Sequence, residues 1–448
     1  MISVDHTLCA YCGGCVSVCP AGALTLAETR LVVSDDCVDC GECVAACPVG
    51  ALRLEPRARD WQPLLRRRYD LVVVGAGPGG STAARVAAEA GLSVLLIEKR
   101  QEIGAPVRCA EGIGRKELVP FVEPDPRWIA AEVTQAQIEA LGDGQTRTIR
   151  AEGGRGYVLE RRIFDRFLAE QAAGAGAEVR VKTAATGLLI EDGRVCGVRI
   201  QRGDVLSGSL VEAEAAVVVA ADGVEAQVGR WAGLDVRLPL RDTMVCAQYL
   251  LAGVEIDPTC ASYTIGHRVA PGGYAWIFPK GEGLANVGLG VQADLWQGPA
   301  ARVPAGGQGG AGDDTVLGYL TRFIEARPAL AQGHPVTLVA GNVPVALPPA
   351  RIVADGLMLV GDAARQANSL TGGGIANAMA AGQLAAGVAV KAIAANDVSA
   401  GFLGRYEAAW RRTVGRKMGR NYRVREKFPP DQRTDERFVR AFTLAVAV

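Results

Sequence analysis

The sequence predicts an α/β protein: a Rossmann-like, dinucleotide-binding sheet preceded by a small α+β module rich in cysteine. Three observations predict it. A glycine fingerprint lies between an apolar strand and a helix at 69–91, a second strand–acid–glycine–helix unit follows at 355–390, and a cysteine run is duplicated within the first 48 residues. The 448 residues allow roughly two to four domains. Apolar residues at 49% and charged residues at 21% suit a globular chain rather than a disordered one. Lys plus Arg and Asp plus Glu number 48 each, which argues against a nucleic-acid partner. That balance is uneven, because residues 1–55 carry seven acids against two bases and 401–448 carry twelve bases against five acids.

Taken in order, the first element is the cysteine module, expected over 1–58. It reads Cys9-x2-Cys12-x2-Cys15-x3-Cys19-Pro20, then Cys37-x2-Cys40-x2-Cys43-x3-Cys47-Pro48. Three thiolates at that spacing wrap one face of a 4Fe-4S cubane, and the fourth, followed by proline, turns to the other cluster. On this rule Cys9, Cys12, Cys15 and Cys47 hold one cluster, and Cys37, Cys40, Cys43 and Cys19 hold the second. Two structural zinc sites are the alternative, although zinc does not require the whole run twice. The segment resembles the bacterial two-cluster ferredoxins along its length. The N-terminus MISVDHTLCAYC has no basic stretch leading into an apolar one, so a reducing, cytoplasmic setting is expected rather than a disulfide scaffold. No apolar run of about 18 residues predicts a membrane span. Residues 59–68, with several arginines, read as a linker.

The next element is the strand Tyr69–Val74, followed by Gly75-Ala76-Gly77-Pro78-Gly79-Gly80 and a helical pattern. A second strand then ends in Glu98, 18 positions after Gly80. Gly75 allows the tight turn, Gly77 lets the backbone approach a pyrophosphate, and Gly80 lets helix and strand pack closely. The helix N-terminus faces the phosphate charge, and Glu98 is placed to accept from a ribose hydroxyl. A solvated acid at a strand end is the plainer reading of Glu98. Far downstream, Leu357–Val360 runs into Gly361-Asp362, and Gly372-Gly373-Gly374 opens another helix. Such a second unit suits a long flavin cofactor, with Asp362 near the ribityl chain and the N–H groups of Gly373 and Gly374 at the pyrimidine end. A further strand and turn at 215–231 offers Asp222.

These signals together resemble the FAD-containing reductases and hydroxylases of the glutathione-reductase-like class. Narrower matches are EIGAPVRCAEGI at 102–113, GYVLERRIFDRFLAEQA at 156–172, PGGYAWIFPKGEGLANVGLGV at 271–291, GDAARQANSLTGGGI and RYEAAWRR. They resemble the geranylgeranyl reductase family over about 70–430. The resemblance implies an FAD domain at 69–235 and 336–400, an inserted antiparallel-sheet substrate domain at 236–335, and a helical region at 401–448. It also implies Arg108 and Cys109 beside the isoalloxazine and Arg161 on the cofactor. Pro271, Tyr274, Trp276, Phe278 and Pro279 would line the substrate cavity, with Cys109, Tyr274 and Trp276 as the catalytic candidates. The chain departs at Ser369, where many relatives carry proline, and at an insertion over 298–315.

Read from the residues alone, Tyr274, Trp276 and Phe278 alternate with Ala275 and Ile277, so one strand face is aromatic. It suits a polyprenyl chain as well as an ordinary core. Cys109 reads as a small buried hydrophobe, or as a reactive thiol whose pKa Arg108 lowers. The resemblance implies an FAD- and iron–sulfur-dependent reductase of isoprenoid double bonds, acting on a polyprenyl lipid or a prenylated small molecule. Electrons would come from an external ferredoxin or reductase. An electron-transfer flavoprotein dehydrogenase serving a quinone is the second reading, and a flavin monooxygenase the third. The basic C-terminal helices read as a solvated cap or as a peripheral contact with anionic lipid at the inner membrane surface.

Overall fold

The computed structural model describes residues 2–27, 30–34, 36–54, 66–142, 145–202, 209–295 and 315–446. Of the predicted linker, 59–65 lies outside the described residues, and 66–68 already belong to a strand. The predicted insertion also lies outside them, apart from Thr315.

In the N-terminal module β1 (Ile2–Val4) precedes the one-turn helix α1 (Gly14–Ser17), and β2 (Leu24–Ala27) pairs antiparallel with β3 (Arg30–Val33). The one-turn α2 (Glu42–Ala45) then leads to β4 (Leu52–Leu54), which pairs with β1. The duplication in sequence is thus a duplication in structure, one short helix for each cysteine run. Its core is small, Ile2, Val4, Leu24, Leu31, Ala51 and Leu52 packed with Cys9, Cys15 and Cys43, and leaves much of the folding to the metal.

The second module starts with β5 (Arg66–Val74), α3 (Pro78–Glu89) and β6 (Val94–Ile97), β5 and β6 running parallel. Leu71, Val72 and Val73 are fully buried because helices and further strands cover both faces of this strand. The chain then leaves for a second sheet through β7 (Gly112–Gly114), α4 (Arg115–Leu118), β8 (Ile129–Gly142) and β9 (Gln145–Leu159). It returns by α5 (Arg161–Gly174) to β10 (Glu178–Arg180), β11 (Thr183–Glu191), β12 (Arg194–Arg202) and β13 (Ser209–Ala220), followed by α6 (Gln227–Trp231).

The second excursion is β14 (Thr243–Ala252), β15 (Cys260–Ile265), β16 (Tyr274–Pro279) and β17 (Leu284–Gln292), then α7 (Val316–Glu325), α8 (Pro328–Ala331) and β18 (His334–Pro344). β19 (Val353–Ala354) and β20 (Leu357–Leu359) rejoin the first sheet ahead of α9 (Ile375–Ala394). Three helices, α10 (Ala400–Arg412), α11 (Val414–Lys427) and α12 (Glu436–Val446), end the described chain.

The first sheet has the order β10-β6-β5-β13-β12-β11, with β20 also on β13, and the second β18-β14-β17-β16-β15-β8-β9-β7. The predicted boundaries of the substrate side therefore need correcting. Residues 112–159 belong to that sheet, and it runs on to Pro344 rather than 335. The joint is a parallel pairing of β15 with β8, Cys260 opposite Gln135. Local sequence pattern cannot say which sheet the strands within 112–159 join. No helix among the described residues is long and apolar enough to cross a membrane.

Candidate active site

The glycine turn sits where β5 meets α3. Gly75 has φ +101°, and a Cβ on Gly80 would lie 1.9 Å from the Gly75 carbonyl oxygen, so the turn and the helix touch backbone to backbone. Around Gly77, by contrast, the space is open. The start of α3 has no side-chain cap, leaving N–H groups for an anion. Glu98 accepts from the backbone N–H of Ala76 at 3.1 Å and of Arg100 at 3.0 Å, so it braces this turn and keeps lone pairs for a hydroxyl. Asp222 takes the Val228 N–H at 2.9 Å and caps α6, while its Oδ1 is buried and unpartnered among the described residues. Burial pushes its carboxyl up. An orphaned acceptor beside an open glycine turn fits a cofactor rich in hydroxyls.

From Gly77 a cavity of about 470 Å³ runs between the two sheets. It is lined by Arg108, Cys109, Arg161, Gly361, Asp362, Gly373, Gly374, Tyr274, Trp276 and Phe278. Gly75, Gly80, Glu98 and Asp222 lie off its wall, and so do the buried Pro271 and Pro279 at the ends of the aromatic segment. The second sheet turns one face to it through a strict alternation. Opposite Tyr274, Trp276 and Phe278 on β16 stand Gly290, Gly288 and Asn286 on β17, whereas Val287, Leu289 and Val291 fill the core behind. A Cβ on Gly288 would come within 2.5 Å of the Trp276 ring, so the glycine makes the room that the indole occupies.

The sequence LANVGLGV carries this pattern.

The Cys109 loop is held from every side. Gln248 donates to the Cys109 carbonyl at 3.2 Å and accepts from the Trp276 indole N–H at 2.8 Å. Glu111, 4% exposed and at φ +73°, receives the Arg161 backbone N–H at 2.7 Å, Lys280 at 2.8 Å and Asn286 at 2.7 Å. Arg161 itself is fixed by two bonds to Asp165, at 2.7 and 2.8 Å. Burial pushes the Cys109 thiol up, and the Arg161 guanidinium only partly pulls it back. The expectation that Arg108 activates this cysteine is therefore corrected in two respects. The facing cation is Arg161, and the net effect keeps the thiol protonated. Arg108 instead turns toward Gly341 and adds a small pull to the Glu225 carboxyl, which the hydrogen bond from Lys99 chiefly holds down.

The Tyr274 hydroxyl donates to the Thr371 carbonyl, tying the aromatic wall to the Gly372–Gly374 loop, and burial holds its phenol well above the usual range. Asp362, raised by burial and opposed by Arg161, stands beside that loop. Ser369 lines the cavity with its buried Oγ unpartnered among the described residues. The residues that sequence reasoning missed, Glu111, Gln248, Lys280 and Asn286, mostly lie inside the segments already singled out. Their polarity within apolar strands, for Gln248 and Asn286, or directly at strand ends, for Glu111 and Lys280, was the available signal.

In the cysteine module Cys9, Cys12, Cys15 and Cys47 line one small hollow, the interleaved set that the spacing predicts. Cys37 and Cys40 stand close enough to raise the Cys43 thiol, though its burial raises it more. No three candidate ligands among the described residues converge to the spacing of a single ion. Thiolates around a cubane stand farther apart than those around one zinc, whose Zn–S bonds are about 2.3 Å.

Fold and site together define a flavin-dependent oxidoreductase with an iron–sulfur module attached. The family signature for a 4Fe-4S dicluster domain matches residues 1–48, that for an NAD(P)-binding Rossmann-like domain 73–116, and that for a geranylgeranyl reductase catalytic domain 242–304. A digeranylgeranylglycerophospholipid reductase of Methanocella arvoryzae is 46% identical over 364 residues, 81% of this chain and 88% of its own. One from Methanosarcina acetivorans is 49% identical, covering 80% and 84%. The crystal structure of a geranylgeranyl bacteriochlorophyll reductase-like protein from Thermoplasma acidophilum superposes with a TM-score of 0.75 at 42% identity, over 83% of this chain and 90% of that one. The chain belongs to the geranylgeranyl reductase family and is an oxidoreductase acting on C=C bonds. A myxobacterial chondrochloren halogenase at 21% identity and TM-score 0.63, covering 84% and 86%, shares the fold.

Proposed function

We propose that this chain reduces the geranylgeranyl double bonds of a digeranylgeranyl glycerophospholipid, with FAD in the cavity and two 4Fe-4S clusters relaying electrons from an external protein donor. The observation that carries this reading is an aromatic wall and a protonated thiol facing the same glycine-loop cradle. FAD held there would supply hydride chemistry toward one alkene carbon, with its electrons drawn singly through the clusters. The chain supplies the rest. Gly77 and the start of α3 would hold the pyrophosphate, Glu98 and the free Asp222 Oδ1 would accept from sugar hydroxyls, and the N–H groups of Gly373 and Gly374 would serve the pyrimidine end. Tyr274, Trp276 and Phe278 exclude water and orient the apolar chain. Cys109, held by Gln248 and the Glu111 network, is positioned to give the proton that the second alkene carbon requires.

Anaerobic reduction of the lipid followed by mass analysis tests the proposal. A gain of two hydrogens per double bond is expected. No gain under strongly reducing conditions, with turnover of a quinone instead, would replace it with the dehydrogenase reading.

A further inference from the structure

Two arginines of the C-terminal helical region are buried in this cavity, and the reduction chemistry uses neither. Arg425, on α11, is 5% exposed, and Arg433, just ahead of α12, is 7% exposed. Both line the cavity wall. They converge on a single neutral acceptor, the Gln292 Oε1, at 3.0 and 3.2 Å. Arg425 also donates to the Arg241 carbonyl and forms an ion pair with Asp242 at 2.9 Å. Arg433 otherwise meets only the carbonyls of Gly272 and Phe428. Among the described residues no carboxylate pairs with it.

The two guanidiniums share one ion-paired carboxylate, Asp242, while Asp294, held by the Gln292 amide at 2.8 Å, and Glu426 act on Arg433 without an ion pair among the described residues. Isolated buried charge is costly unless an opposite charge meets it. The strain is visible in Arg433, which burial and then the neighbouring Arg425 pull down to about 10. Guanidiniums side by side offer the fork geometry that phosphate oxygens accept.

The place of the pair is as telling as its charge. Asn286, Gly288, Gly290 and Gln292 alternate on the cavity face of β17. The Cys109 carbonyl is held by Gln248, which pairs with Gly288, while the arginines meet at Gln292. Four residues of strand put them about 13 Å apart. Phe438 and Phe442 of α12, also on the wall, stand by the arginine end, with Arg433 5.9 Å from the Phe438 ring centroid. A cationic end and an apolar passage leading to a protonated thiol describe a ligand with a phosphate head and a polyprenyl tail.

We propose that Arg425 and Arg433 form the seat for the phosphate head group of the lipid, setting which part of the tail reaches Cys109. The proposal rests on the lipid reading above, and binding measured without turnover separates the two. The flavin-loaded full chain is titrated with digeranylgeranylglyceryl phosphate and with the uncharged digeranylgeranylglycerol, following tryptophan fluorescence. Arg433→Gln should weaken the phosphate lipid roughly tenfold or more and leave the uncharged one unchanged, since hydrogen bonds to charged groups are the strong ones. Arg433→Lys should fall between them.

Inorganic pyrophosphate added to the unmodified protein should compete with the phosphate lipid only, a result that needs no variant to fold. Equal binding of both lipids without competition, or equal losses in Arg433→Gln, would overturn the seat. If neither lipid binds yet pyrophosphate still does so through Arg433 by calorimetry, the seat stands for free phosphate and the lipid reading falls.

Discussion

At the scale of single residues, the site depends on a cysteine kept protonated and a buried carboxylate met by a lysine. Cys109 sits in a cavity that disfavours its thiolate, so its proton is available through neutral pH. With the pKa raised, the protonated form persists below it and is lost as pH climbs through it. The reduction rate of the loaded enzyme should therefore be flat across neutrality and fall only beyond the ordinary thiol range. Cys109→Ala should remove that basic limb together with most of the rate, while flavin binding stays intact. A pH–rate profile unchanged by the substitution would assign the proton to another group.

Glu111 presents the opposite case, a charge stabilised by Lys280 and Asn286 in a place that water does not reach. Lys280→Met leaves that carboxylate uncompensated and should cost about 3–5 kcal/mol, read as a lower urea midpoint. The same variant should speed alkylation of Cys109 by iodoacetamide, mapped by mass spectrometry, because the loop that shields the thiol loses its anchor. Cys109 and Arg161 were legible from the sequence. Their surroundings were not, because Lys280 and Asn286 lie 119 or more positions from Arg161 and Glu111, and only the folding of the second sheet brings them together.

At the scale of elements, the most legible units were those whose pattern is local. The turn Gly75–Gly80, the α3 and α9 helices and the two cysteine runs are each specified by neighbours a few residues apart, and the structure has them where the spacing puts them. The aromatic face of β16 was visible as alternation, yet alternation alone cannot separate a core from a cavity wall. The deciding feature is across the ladder, where Gly288 and Gly290 leave space that larger side chains would fill. The sheet membership of β8 and β9 was illegible for the same reason, since a parallel pairing with β15 is set by residues more than 120 positions away.

The local units also make the firmest expectations. A methyl group at residue 80 cannot fit against the Gly75 carbonyl without moving the turn, so Gly80→Ala should purify with its iron–sulfur absorption and little flavin. Full flavin occupancy in that variant would mean that the turn is not the cofactor's seat.

At the scale of the whole molecule, the zero net charge conceals an acidic module that meets a second, larger one at Lys182. Lys182 lies between β10 and β11 at φ +49°, with its own N–H given to the Arg100 carbonyl. Its ammonium donates to the carbonyls of His6, at 2.6 Å, and Cys9, and sits 4.0 Å from the centroid of the Tyr11 ring. All three acceptors belong to the loop of the first cysteine run, so that run faces the flavin module. In the second run Val38 is 65% exposed, and each run has one cysteine open to solvent, Cys12 and Cys40. Electrons arriving from outside would then meet the second run first and leave from the first. Lys182→Glu sets a negative charge against carbonyl oxygens and against Asp5 close by, and should undock the module without disturbing either cluster. Hydrogen exchange over residues 5–12 of the full chain should rise, and flavin reduction by chemically reduced clusters should slow, with the iron–sulfur spectrum unchanged. Lys182→Arg, which keeps charge and donors, should restore most of both. If exchange and transfer are indifferent to the glutamate, the module does not work from this seat, and the order of the two clusters has to be sought in another docking.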